Sequence, residues 1–372
     1  MLKVYTREFN LHTDKLYLLS SMDNLLTAPM KNPWVRGFLL LSVVIIGSHY
    51  AYIASLSDCV KRINYDGPYQ NEDINKDSLF RPIDSLEIKR IHKFWQDFKL
   101  ESDSGQIFRR LNYSPSREMA IVEHYAEGRK HYGAILLPAN YDETRKYPLL
   151  LWANGLNQSD PSVKLNSYSI FEQLARELKD YFVIVPSFRG QALVINTHRY
   201  CSDGFFGDAF DGATDDALRL LYWTQTNFQT VDPERLAVYG VSRGGTVALL
   251  AGSRQPNLKC IVAQTGPTDF LSKSMSNRHK RQYQYQFLSQ TNSLPDIRTK
   301  IIKSSPLHFI EAFPNDLLLV YGKNDQTVSL VNGKRVVEKL KDKPTLEYAF
   351  LEGGHTINYT RQAIDWIQLK NK

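Results

Sequence analysis

The sequence predicts an α/β domain: a mostly parallel central sheet flanked by helices. Three observations point there. From residue 119 onward, short apolar runs alternate with helical patterns of spaced apolar residues. One apolar run, Leu236–Val241, leads through Gly240-Val-Ser242-Arg-Gly244 into a small-residue helical stretch. Two later runs end in polar turns that carry Asp325 and His355.

Composition sets the bounds. The chain has 372 residues, 42% hydrophobic and 23% charged, an ordinary globular balance with room for a sizeable core. The net charge of +7 is scattered rather than blocked, so it argues surface basicity and no nucleic-acid partner. Cys59, Cys201 and Cys260 lie far apart without C-x-x-C spacing. That signals neither a cysteine zinc site nor a disulfide framework. Three free thiols are expected, with a Cys201–Cys260 bridge as the alternative in an exported domain.

Residues 1–36 form a mixed leader. Residues 37–57 carry no Asp, Glu, Lys or Arg and are about the length that crosses a bilayer. Lys31 and Arg36 precede them, which favours a cytoplasmic N-terminus. As a signal anchor this stretch tethers the chain to a membrane. As a secretory signal starting at Met30, with its apolar core at 38–47, it is removed. Leu56-Ser-Asp-Cys59 faintly resembles a lipoprotein processing site, with Asp58 where a small residue is usual. Each reading places the rest of the chain outside the cytoplasm, in the periplasm if the source is bacterial.

Residues 58–118 read as a linker plus one amphipathic helix. In that helix, Ser85 to Phe98, Ile88, Ile91, Trp95 and Phe98 recur at helical spacing. The catalytic domain is assigned to 119–372. It opens with a hairpin, Met119–Tyr125 and Tyr132–Leu137 around Glu127-Gly128. Lys146–Gly155 is continuously apolar, as a strand covered on both faces requires. Ile170, Phe171, Leu174, Ala175 and Leu178 mark a helix, and Tyr181–Val185 a strand. Thr214–Phe228 is helical, with Asp215 and Asp216 expected in its first turn, where they complement the dipole. The elbow strand follows, then strands at Cys260–Ala263, Leu317–Tyr321 and Leu346–Leu351. Helices are expected at Val331–Leu340 and Ile357–Leu369.

The order strand, G-x-S-x-G, helix is what a nucleophile elbow needs: a sharp turn that projects a serine hydroxyl above the sheet. A serine hydroxyl needs a base to take its proton, and the base needs an acid to hold its tautomer. In α/β hydrolases the chain order is Ser, acid, His. Asp325, in the turn after Leu317–Tyr321, and His355, after Gly353-Gly354, fit that order and sit at the strand ends where such sheets place chemistry. Asp316 precedes its strand, Asp296 lies in a Pro-containing loop, and His279 and His308 come before Asp325. The arrangement calls for no metal and no organic cofactor.

These residues resemble the catalytic domain of the prolyl oligopeptidase-like serine peptidases, over roughly Met119–Leu369. The resemblance rests on Tyr147-Pro-Leu-Leu-Leu151, Arg189-Gly190, Val231-Asp-Pro-Glu-Arg235 leading into the elbow, Ser305-Pro306, Tyr321–Val328 and Gly353-Gly-His355. It implies the α/β-hydrolase fold, a Ser242–Asp325–His355 triad, and acyl transfer through an acyl-enzyme on a small peptide or acyl-ester substrate. Three features depart from the family. Residues 58–118 are too short for its β-propeller. The loop Ala153-Asn-Gly-Leu156 lacks the family's oxyanion Tyr or His, so the donors are expected to be the Arg243 backbone N–H and either a backbone N–H near Leu156 or the Asn154 side chain. Arg243 itself is unusual after the serine; it either pairs on its helix or faces the pocket and favours an acidic group. Between Asp269 and Ser305 a solvated, partly helical cap is expected, with a basic funnel around Lys280 and Arg281 as a further hypothesis. The runner-up functions are a carboxylesterase for small acyl esters and a non-catalytic binding module on the same fold.

Overall fold

The computed structural model describes Ile63, Tyr65 and residues 74–165 and 169–372. The leader, the apolar stretch 37–57 and the Leu56–Cys59 motif lie outside the described residues. Among the described residues no helix is long and apolar enough to cross a membrane.

A nine-stranded sheet runs through the domain. Its strands are β1 (Ser104–Ser114), β2 (Arg117–Ala126), β3 (Arg129–Leu136), β4 (Tyr147–Ala153), β6 (Phe182–Ser187), β9 (Val231–Val241), β10 (Cys260–Gln264), β11 (Asp316–Gly322) and β12 (Leu346–Leu351). The spatial order is β1-β2-β3-β6-β4-β9-β10-β11-β12. β1 to β3 are antiparallel, and β3 pairs antiparallel with β6. From β6 to β12 all neighbours are parallel. A small second sheet joins β5 (Ser162–Lys164), β7 (Ala192–Ile195) and β8 (His198–Cys201).

Helices cover both faces: α1 (Ser85–Gln96), α2 (Ile170–Glu177), α3 (Asp211–Asn227), α4 (Arg243–Arg254), α5 (Lys273–Arg278), α6 (Leu294–Lys303), α7 (Val331–Leu340) and α8 (Thr360–Lys370). The two-residue period of a strand divides the core. On β4, Leu149 and Leu151 pack with Ala217 and Leu221 of α3 and Val247 of α4. Leu150 and Trp152 pack on the other face with Leu174 of α2 and Ile364 of α8. This two-sided burial is why β4 reads as a continuous apolar run.

The sheet starts earlier than the expected boundary at 119. β1 pairs with β2 from Ser104↔Tyr125 to Ser114↔Arg117, with a register shift between Ile107 and Arg109. The bulge switches the alternation in mid-strand, so no unbroken period marks this segment. α3 also starts early. Asp211 occupies its first turn, whereas Asp215 and Asp216 lie one turn on and face cations: Arg254 Nη2 is 2.6 Å from Asp215, and Arg189 Nη2 is 2.8 Å from Asp216. Both expectations for the cysteines are corrected. Cys201 is held in a disulfide and Cys260 is a free buried thiol.

The segment between Asp269 and Ser305 has an apolar underside rather than being a solvated cap. Tyr283, Phe287, Ile297 and Ile301 join Ile91 and Trp95 of α1 and Phe210 and Phe270 in a third core cluster. Arg298 of α6 locks this unit. Its guanidinium donates to the carbonyls of Leu79, Arg81 and Pro82 and to Glu87.

Buried histidines make this fold acid-sensitive. His124 on β2 stacks on His131 of β3 at 5.6 Å. Burial, with His131 and Arg219 adding, pushes the His124 pKa down to about 4, while Asp216 opposes the shift. The unfolded chain therefore binds this proton first. The stabilisation is complete above about pH 6.5 and is lost as pH falls towards 4, about 3 kcal/mol in all. Urea midpoints measured at neutral and mildly acidic pH are expected to fall steeply in the parent chain and less in His124→Gln. An equally steep fall in the variant would assign the loss to other groups.

Candidate active site

Ser242 occupies the turn between β9 and α4 with φ 56° and ψ −119°, a sparsely populated backbone region for a residue with a Cβ. Close packing imposes that turn. A Cβ on Gly240 would lie 1.9 Å from the Gly244 carbonyl oxygen, and one on Gly244 would lie 1.9 Å from that of Ala153. No side chain fits either place. The Ser242 N–H donates to the Gln264 carbonyl at 2.9 Å, which ties the elbow to β10.

The pairing register brings the ends of β4, β9 and β10 level, with Ala153 opposite Gly240 and Gly240 opposite Ala263. β11 and β12 carry the other two residues to the same edge. His355 Nε2 is 2.9 Å from Ser242 Oγ, and His355 Nδ1 is 2.8 Å from Asp325 Oδ2. The Thr327 and Val328 N–H groups donate to Asp325 Oδ1 at 2.8 and 2.9 Å. The Asp325 side chain is fully buried, whereas that of His355 is partly open. A carboxylate with one oxygen fixed by two amides presents the other to the imidazole in a single orientation.

Sequence reasoning missed the residue that anchors the histidine loop. Gln264, at the end of β10, accepts from the Tyr239 hydroxyl at 3.0 Å and donates to the Ile357 carbonyl at 2.7 Å. A polar residue closing an apolar strand beside the elbow was the available signal. The rejected histidines have other partners. His308 Nε2 meets Asp269 Oδ1 at 3.0 Å, and His279 Nε2 meets the Thr327 carbonyl at 3.0 Å.

Asn154 and Leu156 follow β4 and border the serine. The Asn154 carboxamide Nδ2 donates to the Gly155 carbonyl at 3.0 Å, so its side chain is turned into its own loop. The Leu156 N–H meets no acceptor among the described residues. The Arg243 N–H opens α4, where an amide has no partner within its helix. The Arg243 side chain departs from the helix-pairing expectation, while the residue itself lines the cavity at Ser242. It makes no salt bridge among the described residues and is buried at 2% exposure, against Phe188 and the carbonyls of Asn154 and Gly155.

The cavity at Ser242 holds about 70 Å³ and is walled by Leu156, Phe210, Phe270, Tyr283 and Val328. Through Met275, His279 and Thr327 it adjoins an outer polar cleft of about 310 Å³ that includes Arg278 and Arg335. Lys280 and Arg281 line neither space.

A serine in a strained strand–helix elbow, bonded to a histidine that is bonded to a buried aspartate, on a sheet of this topology, defines the α/β-hydrolase class of serine hydrolases. Family comparison narrows this. The model of the prolyl oligopeptidase family, Peptidase_S9, matches residues 166–371, and the chain belongs to that family. Dipeptidyl-peptidase 5 of Porphyromonas endodontalis is 22% identical over 250 residues, 64% of this chain and 34% of that protein. The chain thus spans about a third of that relative's length. Among solved structures, an acetyl xylan esterase from Paenibacillus sp. R4 superposes with a TM-score of 0.55 at 16% identity, covering 82% of this chain and 97% of that one. A puromycin-hydrolyzing peptidase of Mycobacterium tuberculosis gives 0.50 at 17% identity, covering 69% of this chain and 45% of that one. Likeness at these identities is likeness of fold. The described residues match the family's catalytic domain, and no propeller lies among them.

Proposed function

We propose that this enzyme transfers an acyl group to Ser242 and then to water. The observation that carries the reading is the continuous hydrogen-bonded line from Ser242 through His355 to Asp325. His355 takes the Ser242 proton as the hydroxyl attacks, then returns it to the leaving group. Asp325 holds Nδ1 protonated so that Nε2 is free to act as base. The oxyanion formed on the substrate carbonyl is met by the N–H groups of Arg243 and Leu156. The inward turn of Asn154 supports the backbone donor over the side chain.

The cavity size favours short acyl groups. Sites for drug-sized ligands run to roughly 300–1,000 Å³, far above the space beside Ser242. The outer cleft then takes a larger, polar leaving group. We therefore place small acyl esters ahead of peptides, with peptides retained because dipeptidyl-peptidase 5 is a relative. The disulfide at Cys201 supports a working place outside the cytoplasm, since disulfides persist in oxidising compartments. Anchoring through residues 37–57 belongs to the same proposal.

Aryl esters of acetate, butyrate and octanoate, tested beside dipeptide anilides on the full chain, check the substrate reading. Each methylene beyond the fit is expected to lower kcat/KM by about tenfold or more, so acetate leads. Dipeptide anilides turned over faster than the acetate ester would contradict it.

A further inference from the structure

Arg243, in the wall of the cavity, is a cation without a counter-ion among the described residues. It is among the largest fully buried side chains. Its guanidinium carbon lies 4.6 Å from the ring centre of Phe188 and 5.7 Å from that of Phe206. Nη2 donates to the Gly155 carbonyl at 3.0 Å and Nε to the Asn154 carbonyl at 3.4 Å. Among the described residues Nη1 is buried with no hydrogen-bond partner. Among the described residues no carboxylate lies within ion-pair distance of it. Asp216, the main favourable charge acting on it, is itself held by Arg189.

Such an arrangement is expensive. Removing a guanidinium from water costs several kcal/mol, and rings and carbonyls return only part of that. Burial accordingly lowers the Arg243 pKa from the usual arginine range. A merely structural side chain at this position has cheaper solutions.

The carbonyls it holds are informative. They belong to the loop that abuts the serine: a Cβ on Gly155 would lie 3.6 Å from Ser242 Cβ. All the described peptide bonds are trans, and in a trans peptide the N–H points opposite to the carbonyl. A cation that fixes the carbonyls of Asn154 and Gly155 therefore fixes the directions of the Gly155 and Leu156 N–H groups.

We propose that the Arg243 side chain is the positioning cation of the oxyanion hole. It orients the Leu156 N–H through the loop carbonyls, and its unmatched charge is met by the negative charge that develops on the substrate oxygen. This rests on the acyl-transfer reading of Ser242 and assigns a second role to the residue after it. Preorganised charge of this kind acts on the transition state and not on the bound substrate.

The test uses the full chain with Arg243→Gln and Arg243→Lys. Kinetics on p-nitrophenyl acetate are read beside the affinity for a short alkylboronic acid, which forms an anionic tetrahedral adduct on serine. Melting temperature is followed in parallel. Arg243→Gln is expected to lower kcat by about 100-fold with KM within about threefold, and to weaken boronate binding by a similar factor. Arg243→Lys, which keeps the charge, is expected to recover about a tenth of the lost rate. Equal losses in both variants that track the melting temperature would overturn the proposal. So would a rise in KM with kcat unchanged, or a loss confined to carboxylate-bearing esters such as the mono-p-nitrophenyl ester of succinate. Failure of the underlying reading has a different signature: Ser242→Ala would keep the parent rate.

Discussion

Ser242→Ala is expected to lower turnover by about six orders of magnitude while leaving the melting temperature close to that of the parent chain. The first half follows from chemistry. Alanine removes the only atom at the elbow that can attack a carbonyl, and the oxyanion donors alone sustain a residual rate. The second half follows from geometry. The strained φ of 56° is imposed by the contacts of Gly240 and Gly244 and by the Ser242 N–H bond to Gln264. Alanine keeps the same Cβ and the same amide, so it bears the same strain. Steady-state kinetics with thermal melting checks both halves. A variant that retains a hundredth of the parent rate would mean that the reaction does not pass through Ser242.

Asp325→Asn is expected to lower kcat by about four orders of magnitude, with KM nearly unchanged. The asparagine fits: its carbonyl oxygen can keep the Thr327 and Val328 amides that now bind Oδ1. Its NH₂ then faces His355 Nδ1, where the carboxylate now accepts a proton. The imidazole must turn to the tautomer that carries its proton on Nε2, and it has no lone pair left for the Ser242 hydroxyl. The residual rate is expected to rise with pH as hydroxide replaces the missing base. A pH–rate profile of the variant parallel to that of the parent would contradict this role.

How much of this was legible depended on what holds each element together. Strands β4 and β10, β9 from Leu236 to Gly240 and β11 after Asp316 are buried residue after residue, so these stretches are plain apolar runs. The elbow was legible because steric exclusion at Gly240 and Gly244 admits no side chain. Asp325 and His355 were legible because each ends a strand in a polar turn. β1 was hidden by its bulge at Ile107–Arg109, and β5, β7 and β8 are three or four residues long, too short for a period to show. The underside of the segment between Asp269 and Ser305 was hidden for another reason. Tyr283, Phe287 and Ile297 are buried by α1 and Phe210, partners remote in sequence, and local pattern cannot name them. Arg243 is the clearest case. Its identity showed that something was unusual, but its role depends on carbonyls 88 and 89 positions away. Backbone acceptors have no side-chain signature. Gln264 joins β10 to the histidine loop in the same way, 93 positions apart.

The central claim is that an acyl group rests on Ser242 between two chemical steps. Mixing the full chain with p-nitrophenyl acetate, quenching in acid and mapping the peptides by mass spectrometry tests it directly. The expected result is one acetyl group per chain, carried by Ser242, with a matching burst of p-nitrophenol and neither signal in Ser242→Ala. Acetyl on a different residue, or steady turnover with no acylated serine and no burst, would contradict the account.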